Sequence, residues 1–251
     1  MNRALGCRLR APDAHRGFKA SLSASQQAAL PHHVDQSLVF DEITDQGGIG
    51  SCVPSAALGG CRQRLRAQGL GDWLGSILSV YRLALQADGV YPEDEGTFPE
   101  TVLKILAEQG FGPESLGPYS DAPEAIRRRL KAGYEAEAKR TRLVAHMPVE
   151  RDRETIMSEL YAGNSLIFSL MLRESFEDVK SDGIVPMPAA REAEIGGHEM
   201  RGCGYTPDYV KMANSWGRGF GLRGYCFVPW AYVLDPYANR AVHSIQVVQH
   251  V

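Results

Sequence analysis

Five residues of this chain carry a thiol: Cys7, Cys52, Cys61, Cys203 and Cys226. An odd number with no Cys-x-x-Cys pair suits neither a disulfide framework nor a thiolate zinc site, so at least one thiol stays free. Cys52 has a setting the other four lack. Ser51 before it is a good helix N-cap, and Pro54 is tolerated only in a first turn, so Cys52 falls at a helix amino terminus. Unpaired backbone N–H groups and the helix dipole favour thiolate over thiol there, as a nucleophile requires. The competing reading is a buried structural cysteine, and a partner base decides between the two.

Among the histidines, His198 stands in Gly196-Gly197-His198, where two glycines leave room for another backbone or a ligand beside an imidazole. His32 and His33 fall in a polar leading segment, His146 at a junction, and His243 and His250 in a terminal strand, settings that suit packing or solvent. Sixteen residues beyond His198 comes Asn214-Ser215-Trp216-Gly217, offering an amide to fix an imidazole tautomer and an indole to shield that bond. Cys, His and Asn together form a set able to sustain a thiolate–imidazolium pair.

The elements that must carry these residues are legible from periodicity. Val53, Ala56, Ala57, Gly60, Cys61 and Leu65 recur at helical spacings from Cys52 to Arg66, which predicts a closely packed helix. Further helices are expected from Leu74 to Asp88, from Pro99 to Gln109 with Gly110 as its C-cap, and from Asp152 through Tyr161. A charged helix from about Ala122 to Arg140 reads as a solvated face. Strand-like runs then dominate: Ser165 to Leu172, Gly197 to Tyr205, Tyr209 to Asn214, Gly224 to Pro229 and Ala241 to Val251. Helices followed by strands, without βαβ alternation, predict an α+β fold in two lobes divided near residue 145.

Composition bounds the function. The 251 residues are 44% hydrophobic and 23% charged, ordinary for a folded domain with a substantial core. A formal net charge of -3 lacks the positive field that nucleic-acid binding relies on. The longest apolar run, Leu166 to Leu172, is far short of a membrane span, so neither nucleic acid nor a membrane is an expected partner. Charges at Arg3, Arg8 and Arg10 occupy the place of a secretory signal's apolar stretch, which makes a reducing, cytoplasmic setting the default. The first twenty residues, with Arg16 and Lys19 against the single acid Asp13, read first as a solvated flexible end, and second as a targeting or secretion tail that would deliver an effector. Gly219 to Gly224 matches Gly-x-Gly-x-x-Gly but precedes a strand instead of opening a helix, so no dinucleotide cofactor is implied.

Asp45-Gln46-Gly47-Gly48-Ile49-Gly50-Ser51-Cys52, then Gly196-Gly197-His198, then Asn214-Ser215-Trp216-Gly217, closing with Gly224-Tyr225, resemble the papain-like cysteine peptidases in order and spacing. The separation of 146 residues from Cys52 to His198 lies within that family's range of about 130 to 150. Ser175-Phe176-Glu177 and Gly183 to Pro188 are similar to the bacterial branch, so the resemblance covers about residues 40 to 235. It implies a papain-like fold with a helical amino-terminal lobe (about 41 to 145) and an antiparallel β-barrel-like carboxy-terminal lobe (about 146 to 251), with the active site in the cleft between them. Cys52 would be the nucleophile, His198 the base and then acid, Asn214 its orienter, and Gln46 a donor to the oxyanion. Gly96, Phe98, Gly197 and Trp216 would line the substrate, a peptide or protein, with neither cofactor nor metal.

The departures bear on specificity. The family's Cys-Gly-Ser-Cys-Trp stands here as Ile49-Gly50-Ser51-Cys52-Val53, Thr97 adds bulk where glycine is usual, and Glu199 follows His198 where a small apolar residue is commoner. Strand alternation would point Glu199 away from the cleft. The function implied is a cysteine endopeptidase; the alternatives are an amidase or transpeptidase using the same acyl chemistry, and an inactive binding protein on a peptidase frame. Residues 1 to about 40 lie outside the resemblance, show little periodicity, and are expected to lie along the body or be partly disordered. Because the long helical propeptide of secreted members is absent, this arm is the candidate for self-inhibition.

Overall fold

The computed structural model describes residues 4–12 and 14–251; Arg3 and Asp13 of the basic leading segment lie outside them. Among the described residues seven strands form one open antiparallel sheet: β1 (Val34–Asp35), β2 (Thr141–Pro148), β3 (Ser165–Arg173), β4 (Glu194–Tyr205), β5 (Tyr209–Ala213), β6 (Tyr225–Pro229) and β7 (Asn239–His250). Their order is β2-β7-β3-β4-β5-β6, with β1 added to β4. Among the described residues the longer helices are α2 (Cys52–Ala67), α3 (Ile77–Ala87), α4 (Pro99–Glu108) and α6 (Arg153–Tyr161), preceded by α1 (Ala24–Ala29). The short α5 (Tyr134–Ala138) precedes β2, and α7 (Trp230–Leu234) lies between β6 and β7. No described helix is long and apolar enough to cross a membrane.

Period-two alternation explains how β3 serves two cores. Ile167 faces α2, α3 and α4 together with Leu143, Ile245 and Val248, whereas Leu166, Phe168 and Leu170 face the second core with Met200, Met212, Val228 and Trp230. Burial on both faces is why this strand reads as a continuous apolar run. Helix α2 crosses the sheet so closely that a Cβ at Gly60 would lie 2.8 Å from Ile245 Cδ1 and 3.0 Å from Ser165 Oγ. One residue earlier, a Cβ at Gly59 would lie 3.3 Å from Arg201 Nε, which sets α2 against β4 as well.

Two expectations need correction, and one strand carries no signal in the sequence. The charged segment from Ala122 to Arg140 is not one helix: a 3₁₀ turn, Pro123–Arg127, and α5 are separated by a break with Gly133 at φ 87°. Strand β2 lacks a clear signal because Arg142 and His146 interrupt its apolar pattern; its pairing with β7 supplies the order. Ser51 occupies the N-cap position but its side chain does not cap α2; its Oγ instead meets Tyr119 Oη at 2.7 Å. Asp152, by contrast, caps α6 by accepting from Thr155 N at 3.2 Å.

The leading segment lies along the body. Phe18 N donates to Pro148 O at 2.9 Å, the Gln36 amide to Leu160 O at 2.7 Å, and Asp35 pairs with Lys211 at 2.8 Å.

Candidate active site

The loop before α2 is pinned from both lobes. Gln46 N donates to Ser215 O at 2.8 Å, while Gly50 N meets the Asp94 carboxylate, which also accepts from Tyr81 Oη. Ile49, wholly buried, packs with Tyr81 and Leu85 between these anchors. Cys52 is therefore held at the start of α2, with the backbone N–H groups of Val53, Glu199 and Gly6 directed at its sulfur.

Across the cleft, His198 Nε2 lies 2.7 Å from Asn214 Oδ1. The same oxygen accepts from Ser215 N at 2.7 Å, which settles the amide's orientation and makes Nε2 the protonated ring nitrogen. His198 Nδ1 is then left with a free lone pair, the form a base requires; it is buried with no hydrogen-bond partner. Trp216 covers the pair, its ring 5.0 Å from that of His198, and is itself gripped by Phe176 and Phe220 at 5.4 and 5.1 Å. Ser215 Oγ donates to Gln46 Oε1, so the Gln46 amide presents Nε2 to the cleft.

The leading segment threads this site. Gln46 Nε2 donates to Ala4 O at 3.0 Å, Thr97 N to Gly6 O at 2.9 Å, Cys7 N to Gly197 O at 3.1 Å and Arg8 N to Thr97 O at 2.9 Å. The segment thus pairs in parallel with Thr97 and bridges both walls. Gly6 is required there: a Cβ on it would sit 1.7 Å from Gly50 O. The guanidinium groups of Arg8 and Arg10 lie over the Phe98 ring at 4.6 and 3.9 Å.

Burial governs the ionisation of the closed site. It pushes the Cys52 thiol up to about 12, despite the three backbone donors, and pushes His198 down to about 4 against the hydrogen bond it donates to Asn214. Both shifts favour neutral thiol and neutral imidazole over the ion pair.

The residues singled out from sequence fall into two linked groups: Gln46 meets Ser215, next to the Asn214 that pairs with His198 under Trp216, while Gly96, Phe98 and Gly197 border the leading segment, and Cys52 lies buried at the start of α2. Three were missed or misread. Thr97, not Gly96, supplies the backbone that pairs with the threaded segment. Glu199 does not point away from the cleft: it meets Cys7 Sγ at 3.3 Å, because both faces of β4 border the cleft where the segment crosses it. Cys7 lacks any local signal; only its contact with Glu199 distinguishes it.

Residues 30–231 match the family model of the papain family cysteine proteases. The chain belongs to the papain family. A peptidase C1-like protein of Acanthamoeba polyphaga mimivirus is 29% identical over 202 residues, covering 76% of this chain and 65% of that protein. Papain of Carica papaya is 25% identical over 202 residues, covering 78% of this chain and 54% of papain's. The chain thus spans between about half and two thirds of these relatives' length. Xylellain, a cysteine protease from Xylella fastidiosa, has a similar structure, with a TM-score of 0.88 at 22% identity over 98% of each chain. A procathepsin B from Trypanosoma congolense follows, with a TM-score of 0.75 at 15% identity over 98% of this chain and 87% of its own. The fold is papain-like: helices on one side of the cleft and an open antiparallel sheet on the other.

Proposed function

We propose that this chain is a cysteine endopeptidase whose own leading segment closes its cleft. The reading rests on a peptide backbone already lying in the cleft, its Ala4 carbonyl on the Gln46 amide and its Cys7 N–H on the carbonyl of Gly197, the residue before His198. In the open enzyme the Cys52 thiolate, paired with the His198 imidazolium, attacks a peptide carbonyl. Gln46 Nε2 and the Cys52 backbone N–H hold the oxyanion, His198 protonates the leaving amine, and water releases the acyl group. Asn214 keeps the imidazole in the required tautomer, and Trp216 shields that bond. The Ala4 carbonyl sits where Gln46 would receive the oxyanion, so the seated segment and a substrate exclude one another.

Residues 1 to 40 then act as a regulatory arm on a peptidase domain of residues 41 to 251. The likeness to a procathepsin supports a precursor-like closed form, and the full-length likeness to xylellain supports the bacterial branch. All five cysteines are free, which suits a reducing compartment.

The test is hydrolysis of a mixed peptide set, with and without added amines, by the chain cut after Lys19 and by its Cys52→Ala and His198→Ala variants. Turnover to free acids, abolished by either substitution, is the expected result. Products that appear only as amine adducts would make the protein an acyl transferase, and no reaction at all would leave a peptide-binding frame.

A further inference from the structure

Glu199 is a wholly buried carboxyl directly after the proposed base, and nothing in the mechanism uses it. Its Oε2 accepts from Ser169 Oγ at 2.7 Å, its cross-strand partner on β3, and from Cys7 Sγ at 3.3 Å. Its Oε1 is buried with no hydrogen-bond partner. Cys7 is held over it by the two cleft walls, through Gly197 O on one side and the Thr97 backbone on the other. The arm residue before it, Gly6, packs directly on Gly50, two residues before Cys52. A peptide strand using the same two walls but running in the opposite direction to the arm would place one residue beside Cys52 and the side chain of the residue before it on Glu199.

We infer that Glu199 is a specificity-determining residue, selecting at that neighbouring position a short side chain with a hydrogen-bond donor: serine, threonine or cysteine. The inference rests on the peptidase reading and deepens it. Length is limited because a thiol only one atom beyond Cβ already reaches the carboxyl. Polarity is required because an apolar side chain would bury the carboxyl while removing one of its two donors and supplying none to Oε1. Discrimination by a buried polar group built to accept a hydrogen bond is at least about tenfold. Cys7 is the chain's own occupant of this subsite, so the same chemistry that selects substrate retains the arm.

The experiment uses the full chain carrying Gly6→Val, which expels the arm without touching the subsite. Peptidyl glycyl chloromethyl ketones, varied at the residue before the glycine, are scored by the rate of Cys52 alkylation and by mapping of the adduct. Serine over alanine, and threonine over valine, are expected to react at least about tenfold faster. Glu199→Ala should bring both ratios to near one, while Glu199→Gln, whose amide oxygen still accepts, retains part of them. In the otherwise unaltered chain, Cys7→Ala should speed alkylation of Cys52 by iodoacetamide and Cys7→Ser should not. Thermal melting of each variant verifies that it folds.

Equal rates for donor and apolar isosteres, ratios unchanged by Glu199→Ala, or a Cys52 that iodoacetamide labels but no ketone does, would each overturn the subsite. Preference as expected, but with no peptide amide hydrolysed, would instead overturn the peptidase reading and leave the subsite standing.

Discussion

Replacing Gly6 by valine is the sharpest perturbation of the closed form. A Cβ at position 6 would lie 1.7 Å from Gly50 O and 2.2 Å from Gly50 C. A carbon–oxygen contact needs about 3.3 Å, so one backbone must retreat by roughly 1.5 Å. Gly50 is tied down by the Asp94 carboxylate and by the Ser51 N to Ile49 O bond of 2.8 Å, so the arm is the part that moves. A shift of that size takes its four backbone bonds to Gln46, Thr97 and Gly197, now 2.9 to 3.1 Å long, beyond hydrogen-bonding range. At a net value of about 0.5 to 1.5 kcal/mol each, the closed form loses about 2 to 6 kcal/mol, a shift of about 30-fold to 10⁴-fold in the open population. The assay is the rate of Cys52 alkylation by an epoxide at fixed pH, alongside peptide turnover. Both should rise in Gly6→Val until the arm is wholly released, and Gly6→Ala should move them in the same direction. Alkylation and turnover unchanged in a folded Gly6→Val protein would refute the reasoning, because no other route relieves the overlap.

Three further outcomes follow from the same geometry. In the open enzyme, Gln46→Ala should lower the rate constant by about 100-fold, the scale of one oxyanion donor, and Asn214→Ala should leave residual turnover, because it orients the base without transferring a proton; steady-state kinetics of each variant checks both. Arm closure should be tightest near pH 6.5. His198 and His243 are pushed by burial from 6.5 down to about 4 and about 3, so the closed form binds fewer protons than the open one and weakens as pH falls below 6.5; Glu199, pushed up to about 8, weakens closure as pH rises towards that value. Hydrogen exchange of the residue 6 to 8 amides across this range should show slowest opening near the middle, and a flat profile would contradict the assignment. Finally, Phe176→Ala removes a buried ring touching both Trp216 and Phe220 and should cost about 3 to 5 kcal/mol in chemical denaturation; a loss below about 1 kcal/mol would mean the aromatic cluster does not support the site.

Much of the candidate site is legible from local chemistry. A cysteine at the start of a helix marked by Pro54, an imidazole after two glycines, and an amide at the end of a strand each carry a signal within a few residues of themselves. The helix and strand order follows for the same reason, since periodicity is local: α2, α3, α4, α6 and β3 to β7 lie within a few residues of where the pattern sets them. The charged stretch around Arg127 to Arg140 misleads because helix-forming composition there is outweighed by Gly133 and by burial of Ala125, Ile126 and Tyr134 against the body.

What tertiary structure alone decided is which distant groups share the cleft. Ser51 looks like a cap, yet packing offers its hydroxyl Tyr119, 68 residues away. Alternation along β4 tells which face Glu199 takes but not that this face meets Cys7 across 192 residues of chain. Nor can any local pattern reveal that the arm enters the site, or that burial pushes the Cys52 thiol up and the His198 imidazole down. Residue types and their near neighbours determine the chemistry a chain is able to do. Whether that chemistry is open to water or sealed depends on desolvation, which is set by everything packed around the site and so exists only once the chain has folded.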